Sequence, residues 1–140
     1  DVKRQAHQMA QEIEQLEAAR LGTVDDFQKR LEVKLTKLVG QAGIDPSRVL
    51  QEAVLLADRT DISEELQRLG SHVEQLLAML EKKGELGKQI DFLAQELHRE
   101  ANTVLSKTTP LGRSGLLLTE IGLRLKQQIE KVREQAQNLE

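Results

Sequence analysis

Apolar residues recur every three or four positions along nearly the whole chain, and few residues interrupt that spacing. Such spacing places apolar side chains on one face of an α-helix. The most regular example is the run Ile62, Leu66, Leu69, Val73, Leu76 and Leu80. Only 2 Pro and 9 Gly occur among the 140 residues, so helix is favoured almost throughout. The pattern therefore predicts an all-α protein.

Breaks in the pattern divide the chain into five or six helices. Gly22-Thr23 interrupts the first run, Gly40 to Gly43 ends the second, and Asp45-Pro46 predicts a capped start for the third. The expected helices cover residues 2–21, 24–40, 46–57, 61–83, 86–107 and 116–139. The stretch 108–115 is the clearest loop. Long helices joined by short turns predict an antiparallel bundle or long helical hairpins.

The seams of these helices also predict the core. The residues expected to be buried are Leu66, Leu69, Val73, Leu76, Ile90, Leu93, Leu97, Leu125, Ile129 and Val132. Phe92 projects from the opposite side of its helix, where it packs on another helix or subunit or stacks on a base. Packing is the more frequent case, because no second aromatic residue accompanies it.

Composition excludes several classes of protein. With 31% charged and 39% hydrophobic residues, the chain is neither disordered nor membrane-spanning in character. The absence of Cys excludes disulfides, thiolate catalysis and Cys-based zinc sites, and it fits a reducing cytoplasm. A net charge of -3 provides no global basic field, so any contact with nucleic acid must be local.

Polar residues form strips beside the apolar seams of two consecutive helices. One strip holds Asp61, Glu65, Arg68, His72 and Gln75; another holds Asp91, Gln95, His98 and Asn102, with Glu96, Glu100 and Lys107 further round. Two antiparallel helices can bring such strips together. Carboxylates and imidazoles there would suit a divalent ion or an acid–base pair. Spacing alone more often indicates a solvated face held by pairs four residues apart.

Three stretches resemble one family. Residues 87–107, GKQIDFLAQELHREANTVLSK, closely resemble the signature helix of the YicC-like endoribonucleases. Residues 61–72, DISEELQRLGSH, are similar to that family's Glu-Glu-x-x-Arg-Leu-x-x-His element, and residues 129–140 to its C-terminal tail. The strong resemblance covers residues 59–140, which we assign to the family's C-terminal domain, with residues 1–58 as a helical arm or linker-proximal helices.

The resemblance implies a bacterial, cytoplasmic, stress-induced protein that cleaves RNA. It also implies a ring-like homo-oligomer, a divalent metal ion such as Mg²⁺ or Mn²⁺, and an N-terminal domain that these 140 residues do not include. Two departures are visible. His98 stands where the family usually has Asn, and residues 108–115 make a longer link than in many members.

Chemistry and position then suggest individual roles, because phosphodiester cleavage needs proton transfer and stabilisation of charge on the phosphoryl oxygens. The expected catalytic residues are Glu65, His72, Glu96 and Glu100. The expected metal ligands are Asp91, Glu96 and Glu100. The expected RNA contacts are Arg68, Lys88, Arg99, Asn102 and Lys107.

Three hypotheses stay open at this point. The first is the C-terminal half of a metal-dependent endoribonuclease, with the faces of the two polar helices lining one cleft. The second is a module for oligomerisation and RNA clamping, with the chemistry in the missing N-terminal half and with Phe92 in an interface. The third is a purely structural helical adaptor, which leaves the dense polar run from Asp91 to Lys107 unexplained.

Overall fold

The computed structural model describes residues 1–82 and 86–138. Every regular element in this part of the chain is helical and none is a strand, so the all-α prediction is confirmed. The elements are α1 (Val2–Ala42), α2 (Pro46–Arg59), α3 (Ser63–Leu80), α4 (Gly87–Thr108), a 3₁₀ segment (Thr109–Gly115) and α5 (Leu116–Asn138). None of the described helices is both long enough and apolar enough to cross a bilayer.

The first half of α1 joins α3, α4 and α5 in an antiparallel four-helix bundle, in which each helix packs against two of the others. Ion pairs show the direction of α3 and α4: Glu65 lies beside Lys107, and Arg68 lies beside Glu100. The partner residue on α4 therefore moves toward the N-terminus as the residue on α3 moves toward the C-terminus, so the two helices are antiparallel. Polar side-chain pairs between α1 and the ends of α3, and between α4 and α5, follow the same opposed order.

One hydrophobic core fills this bundle. All ten residues predicted to be buried are buried, which confirms that prediction. α1 adds Ala6, Met9 and Leu16, each with none of its surface exposed. The first half of α1 therefore shares a core with the three later helices.

The second half of α1 and α2 form an arm, residues 28–59, beyond the bundle. No residue of α2 is buried, and Leu50 and Val54 are 65% and 62% exposed. α2 begins as predicted, because the carboxylate of Asp45 accepts a hydrogen bond from the backbone N–H of Ser47 at 3.1 Å. The arm is thus a regular helical hairpin with little apolar burial.

The predicted helix break at Gly22-Thr23 is wrong, because α1 runs without interruption from Val2 to Ala42. Gly22 costs a helix about 1 kcal/mol relative to Ala, but unlike Pro it keeps its backbone N–H in the hydrogen-bond ladder. The strong helix formers on both sides outweigh that cost. α1 ends instead at Gly43, whose φ of 62° is the left-handed conformation of a helix cap.

The predicted loop at 108–115 is the 3₁₀ segment, which carries a kink at Gly112. Gly112 has φ 57° and ψ −131°, a conformation that residues with a Cβ rarely adopt. A Cβ at Gly115 would lie 2.7 Å from both the Cβ of Leu111 and the carbonyl oxygen of Thr108. Both glycines are therefore needed where the chain turns from α4 into α5. The expected turn between the helices 61–83 and 86–107, and the expected helix end at residue 139, lie outside the described residues.

Candidate functional site

The first turn of α3 meets the last turn of α4 through an ion pair. Glu65 is only 1% exposed, and Lys107 Nζ donates to its two carboxylate oxygens at 2.6 and 3.2 Å. The same ammonium group donates to the backbone carbonyl of Asp61 at 3.1 Å. The antiparallel packing of α3 and α4 causes this meeting, and each charge lies at the helix end that favours it. Both carboxylate oxygens of Glu65 are therefore held by hydrogen bonds from the lysine across the interface.

A second pair lies one turn further along α3. Arg68 Nε donates to Glu100 Oε1 at 2.9 Å, and Arg68 Nη2 lies 3.8 Å from Glu65 Oε1. The hydrogen bond to Glu100, together with the neighbouring carboxylates, raises the pKa of Arg68. Glu65, Arg68, Glu100 and Lys107 thus form one connected set, which we call the α3–α4 ion-pair network.

The chemistry of this network follows from its burial. Glu65 and Glu100 are buried, whereas Arg68 and Lys107 are partly exposed and keep donors near the surface. A buried carboxylate whose oxygens accept hydrogen bonds from a neighbouring side chain is poorly placed to reach a substrate. The cations, by contrast, can extend toward a phosphate group. The network supports helix packing and phosphate contact better than it supports general acid–base catalysis.

His72 and Glu96 occupy the next level of the same interface. Because residue 68 lies opposite residue 100, the antiparallel register places residue 72 level with residue 96. Both side chains are half-buried. His72 Nδ1 is shielded from solvent and has no hydrogen-bond partner within the described residues. Among the expected catalytic residues, His72 therefore has a buried ring nitrogen to which no described group is hydrogen-bonded.

The strip of Asp91, Gln95, His98 and Asn102 faces α5 rather than α3. Within it Gln95 Nε2 donates to Asp91 at 2.9 Å, and Asn102 lies 3.3 Å from His98. Across to α5, Asp91 lies 3.8 Å from Arg133, and His98 lies 3.8 Å from Glu130. The expectation that this strip meets α3 is wrong. The strip of Glu96, Glu100 and Lys107 meets α3 instead, because it projects from the other side of α4.

The expected metal ligands are consequently divided between two interfaces. Asp91 and Glu100 are nine residues apart, which is about 900° of rotation and places them on opposite faces of α4. Glu100 is already bound by Arg68. In residues 1–82 and 86–138 no group of three or more Asp, Glu or His side chains is arranged to hold a metal ion. Asp91, Glu96 and Glu100 therefore do not fit a single metal site, and Asp91 does not line a common cleft with Glu65.

The remaining predicted RNA contacts lie on the surface. Lys88, Arg99 and Asn102 are exposed, but only Arg68 and Lys107 are brought together by the fold. Phe92 is 62% exposed, in agreement with its predicted position away from the helix seam.

A buried carboxylate on α1 was not predicted. Glu12 is 1% exposed, and burial raises the pKa of its carboxyl. Gln8 Nε2 lies 3.4 Å from its Oε1, whereas its Oε2 has no partner within the described residues. The sequence signal was present, because Glu12 falls between Met9 and Ile13 on the buried face of the helix. Glu12 was not selected from the sequence, because only the polar strips of two later helices were considered.

Comparison with known proteins gives a consistent result. The family described as "Endoribonuclease YicC-like, C-terminal" matches residues 5–140. A "Probable endoribonuclease YicC" from Clostridioides difficile is 33% identical over 141 residues, which cover 100% of this chain and 46% of that protein. One of the same name from Haemophilus influenzae is 46% identical over 100 residues, covering 71% of this chain and 33% of that protein.

The chain thus spans less than half the length of the curated relatives it matches. The family match begins in α1 and continues through the bundle, so it includes the arm and both polar interfaces of α4. The resemblance found in the three sequence motifs is confirmed. This chain belongs to the YicC-like endoribonuclease family and carries the family's C-terminal region.

Proposed function

We propose that this chain is the C-terminal helical part of an endoribonuclease that cleaves RNA. The observation that carries the proposal is the family match over residues 5–140, with relatives named as probable endoribonucleases. The absence of Cys supports a cytoplasmic location. A stress-associated role rests on the resemblance alone.

Within that protein, we propose that this region contacts RNA and supports assembly, while the chemistry depends on the rest of the protein. The two buried carboxylates of the α3–α4 ion-pair network are occupied by Lys107 and Arg68. The partly exposed cations of that network, and the exposed Lys88, Arg99 and Asn102, remain candidates for contact with RNA. This arrangement favours clamping over cleavage by the region alone.

A catalytic contribution from this region is the second candidate, and His72 is the observation that favours it. Its Nδ1 is shielded and has no hydrogen-bond partner in the part of the chain that the structure describes, and the register places the residue level with Glu96. A substrate or the missing half of the protein, bound at this edge of the α3–α4 interface, would give the imidazole a hydrogen-bonding partner. His72 would then move a proton and Glu96 would orient it.

A requirement for Mg²⁺ or Mn²⁺ stays a prediction of the family resemblance. The separation of Asp91 from Glu100 argues that these residues do not hold one ion together. A requirement for the metal in the full-length protein would therefore need other ligands.

Assembly with the N-terminal half, or with further copies of the chain, is supported by exposed apolar side chains. Phe92 is exposed on α4, and Leu50 and Val54 are exposed on the arm. Adjacent exposed apolar side chains, such as Leu50 and Val54 one helical turn apart, are typical of surfaces that a partner covers. Sedimentation of the chain, with and without the substitution Phe92→Ser, tests this part of the proposal. A monomer in both samples would contradict self-association through Phe92.

The main experiment compares the full-length protein with the segment 1–140 on a labelled single-stranded RNA. We expect the full-length protein to cleave the RNA and the segment to bind it without cleaving. Reactions with Mg²⁺, with Mn²⁺ and with a chelator test the metal requirement. Cleavage by the segment alone would move the chemistry into the bundle, and His72→Gln should then lower the rate by about 10²-fold or more. No cleavage by the full-length protein would contradict the proposed function.

A further inference from the structure

A groove lies where the arm leaves the bundle, between α1 and the 3₁₀ segment. It has a volume of about 440 Å³, and its lining includes Phe27, Arg30, Lys34, Lys37, Pro110 and Arg113. Four of these residues are cationic, and none of those that the structure describes is an Asp or Glu. In a chain with a net charge of -3, this is a local concentration of positive charge.

Helix geometry explains how the cations converge. Arg30, Lys34 and Lys37 are spaced by four and three residues, so they follow one face of α1 at axial steps of ~6 and ~4.5 Å. Arg113 is brought to the same groove from the 3₁₀ segment, where Gly112 provides the turn. The groove therefore exists only in the folded chain.

A hydrogen bond fixes the 3₁₀ segment against α1. Ser114 Oγ donates to Asp26 Oδ2 at 2.7 Å, and Arg30 Nε donates to the same oxygen at 2.9 Å. The bond from Ser114 and the nearby guanidinium lower the pKa of Asp26. Lys34, Lys37 and Arg113 form no ion pair within residues 1–82 and 86–138. Three of the four cations are thus available to an external anion.

We propose that this groove binds the sugar–phosphate backbone of single-stranded RNA. Lysines spaced along a helix can follow successive phosphates, and a guanidinium on the opposite wall can bind one phosphate in a bidentate manner. Phe27 and Pro110 provide apolar surface on which a base can lie between the two walls. The site is separate from the α3–α4 ion-pair network, and the inference rests on the proposed action of the protein on RNA.

The test measures binding of a fluorescein-labelled oligouridylate of about twelve nucleotides by fluorescence anisotropy. The groove variant is Lys34→Gln with Lys37→Gln. The control is Arg4→Gln with Lys131→Gln, two exposed cations outside the groove that change the net charge equally. We expect the groove variant to weaken binding about tenfold at low salt. Its plot of log affinity against log salt should be shallower by about 1.4, which is 0.7 for each lost phosphate contact.

A second variant distinguishes a loss of binding from a loss of folding. Arg113 lies on the other wall of the groove, so Arg113→Gln should also weaken RNA binding. Circular dichroism should show an unchanged helix content in both variants. Equal losses in the groove and control variants would indicate diffuse electrostatic attraction and would overturn the proposal. Displacement of the RNA by polyglutamate as readily as by unlabelled RNA would indicate a site for an acidic protein and would also overturn it.

The same variants in the full-length protein separate this inference from the proposed function. If the full-length protein and its groove variant cleave RNA with the same KM, the proposed role of the groove is refuted and the endoribonuclease proposal stands. Full-length protein that neither binds nor cleaves RNA would refute both. A raised KM with an unchanged kcat in the groove variant is the expected result, because the groove positions the RNA remote from the reacting bond.

Discussion

The bundle and the arm are built from similar helices, but they differ in what those helices bury. Leu69 in the bundle is completely buried, whereas Leu50 in the arm is 65% exposed. Val49, Ala53 and Leu56 of α2 face a shallow groove with α1, and all three are only half-buried. Stability comes mainly from apolar burial, so the bundle provides most of the stability of the described residues, and the arm depends on α1 for its position.

This difference in apolar burial indicates which part of the molecule has surface available for a binding partner. A helix whose apolar face is already filled has little surface left for a partner, as in α3. The arm retains exposed apolar side chains on α2 and, on α1, cations that form no ion pair with any described residue, and the proposed RNA groove lies at its base. The bundle therefore acts as the scaffold, and the arm carries the surfaces that require another molecule.

The largest expected effect comes from the same substitution made in both regions. Leu69→Ala should lower the free energy of unfolding by about 2–5 kcal/mol, because it leaves a cavity in a filled core. Leu50→Ala should change it by less than about 0.5 kcal/mol, because the side chain is mostly in solvent. Urea unfolding followed by circular dichroism measures both. A large loss for Leu50→Ala would show that the arm is packed against a second copy under the conditions used.

A somewhat smaller loss is expected when the α3–α4 ion-pair network is broken. Lys107→Met leaves the Glu65 carboxylate buried without its main partner, so we expect a loss of about 2 kcal/mol, reduced from the fully buried case by the partial exposure of Lys107. The exposed Lys88→Met is the matched control, with little change. Glu65→Gln added to Lys107→Met should recover most of the loss in thermal unfolding. If the double variant is no more stable than Lys107→Met alone, Lys107 stabilises the bundle through packing rather than through its charge.

Substitution by Ala should have opposite effects on stability at two glycines near the junction of the arm and the bundle. Gly112→Ala places a Cβ at φ 57° and should cost about 1–3 kcal/mol. Gly22→Ala lies inside α1 with no atom within 4 Å of the added Cβ, so it should add up to about 1 kcal/mol. Thermal melting of the two variants beside the parent chain measures both signs. A stabilising Gly112→Ala would contradict the kinked 3₁₀ conformation.

The sequence was sufficient to predict the all-α class and the bundle core, because three- and four-residue spacing is a local property, although it placed a false helix break at Gly22. It was not sufficient to predict which helix each polar strip faces. α4 has polar residues on two sides, and only the cyclic order of four helices decides that Asp91 faces α5 while Glu100 faces α3. Spacing contains no information about that order.

The proposed RNA groove was missed for a related reason. Lys34 and Arg113 are far apart in the sequence, and they come together only because α1 continues past Gly22 instead of breaking there. A break at Gly22 would have left the arm without a fixed position relative to the 3₁₀ segment. The incorrect helix boundary at Gly22 therefore prevented the sequence analysis from placing these cations in one groove.

The smallest expected effect concerns Glu12, the buried carboxylate within the bundle. Burial raises the pKa of Glu12, so the folded state favours the protonated form. The stability that this neutral form provides is complete below the ordinary carboxyl pKa and is lost as the pH rises through the raised value. Glu12→Gln stays neutral at every pH, so it should raise the melting temperature near pH 7 and leave it unchanged near pH 3, with a gain of at most about 1 kcal/mol.

The control for this pH effect is Glu14→Gln, an exposed carboxylate two residues away on the same helix. It should change stability little at either pH. The lowered pKa values of Asp26 and Asp61 weaken the fold in acid, but they do so equally in both variants and cancel in the difference. If Glu12→Gln destabilises the protein near pH 7, attraction of the carboxylate by Arg124 and Lys131 outweighs its burial, and the bundle contains a second ion-pair network between α1 and α5.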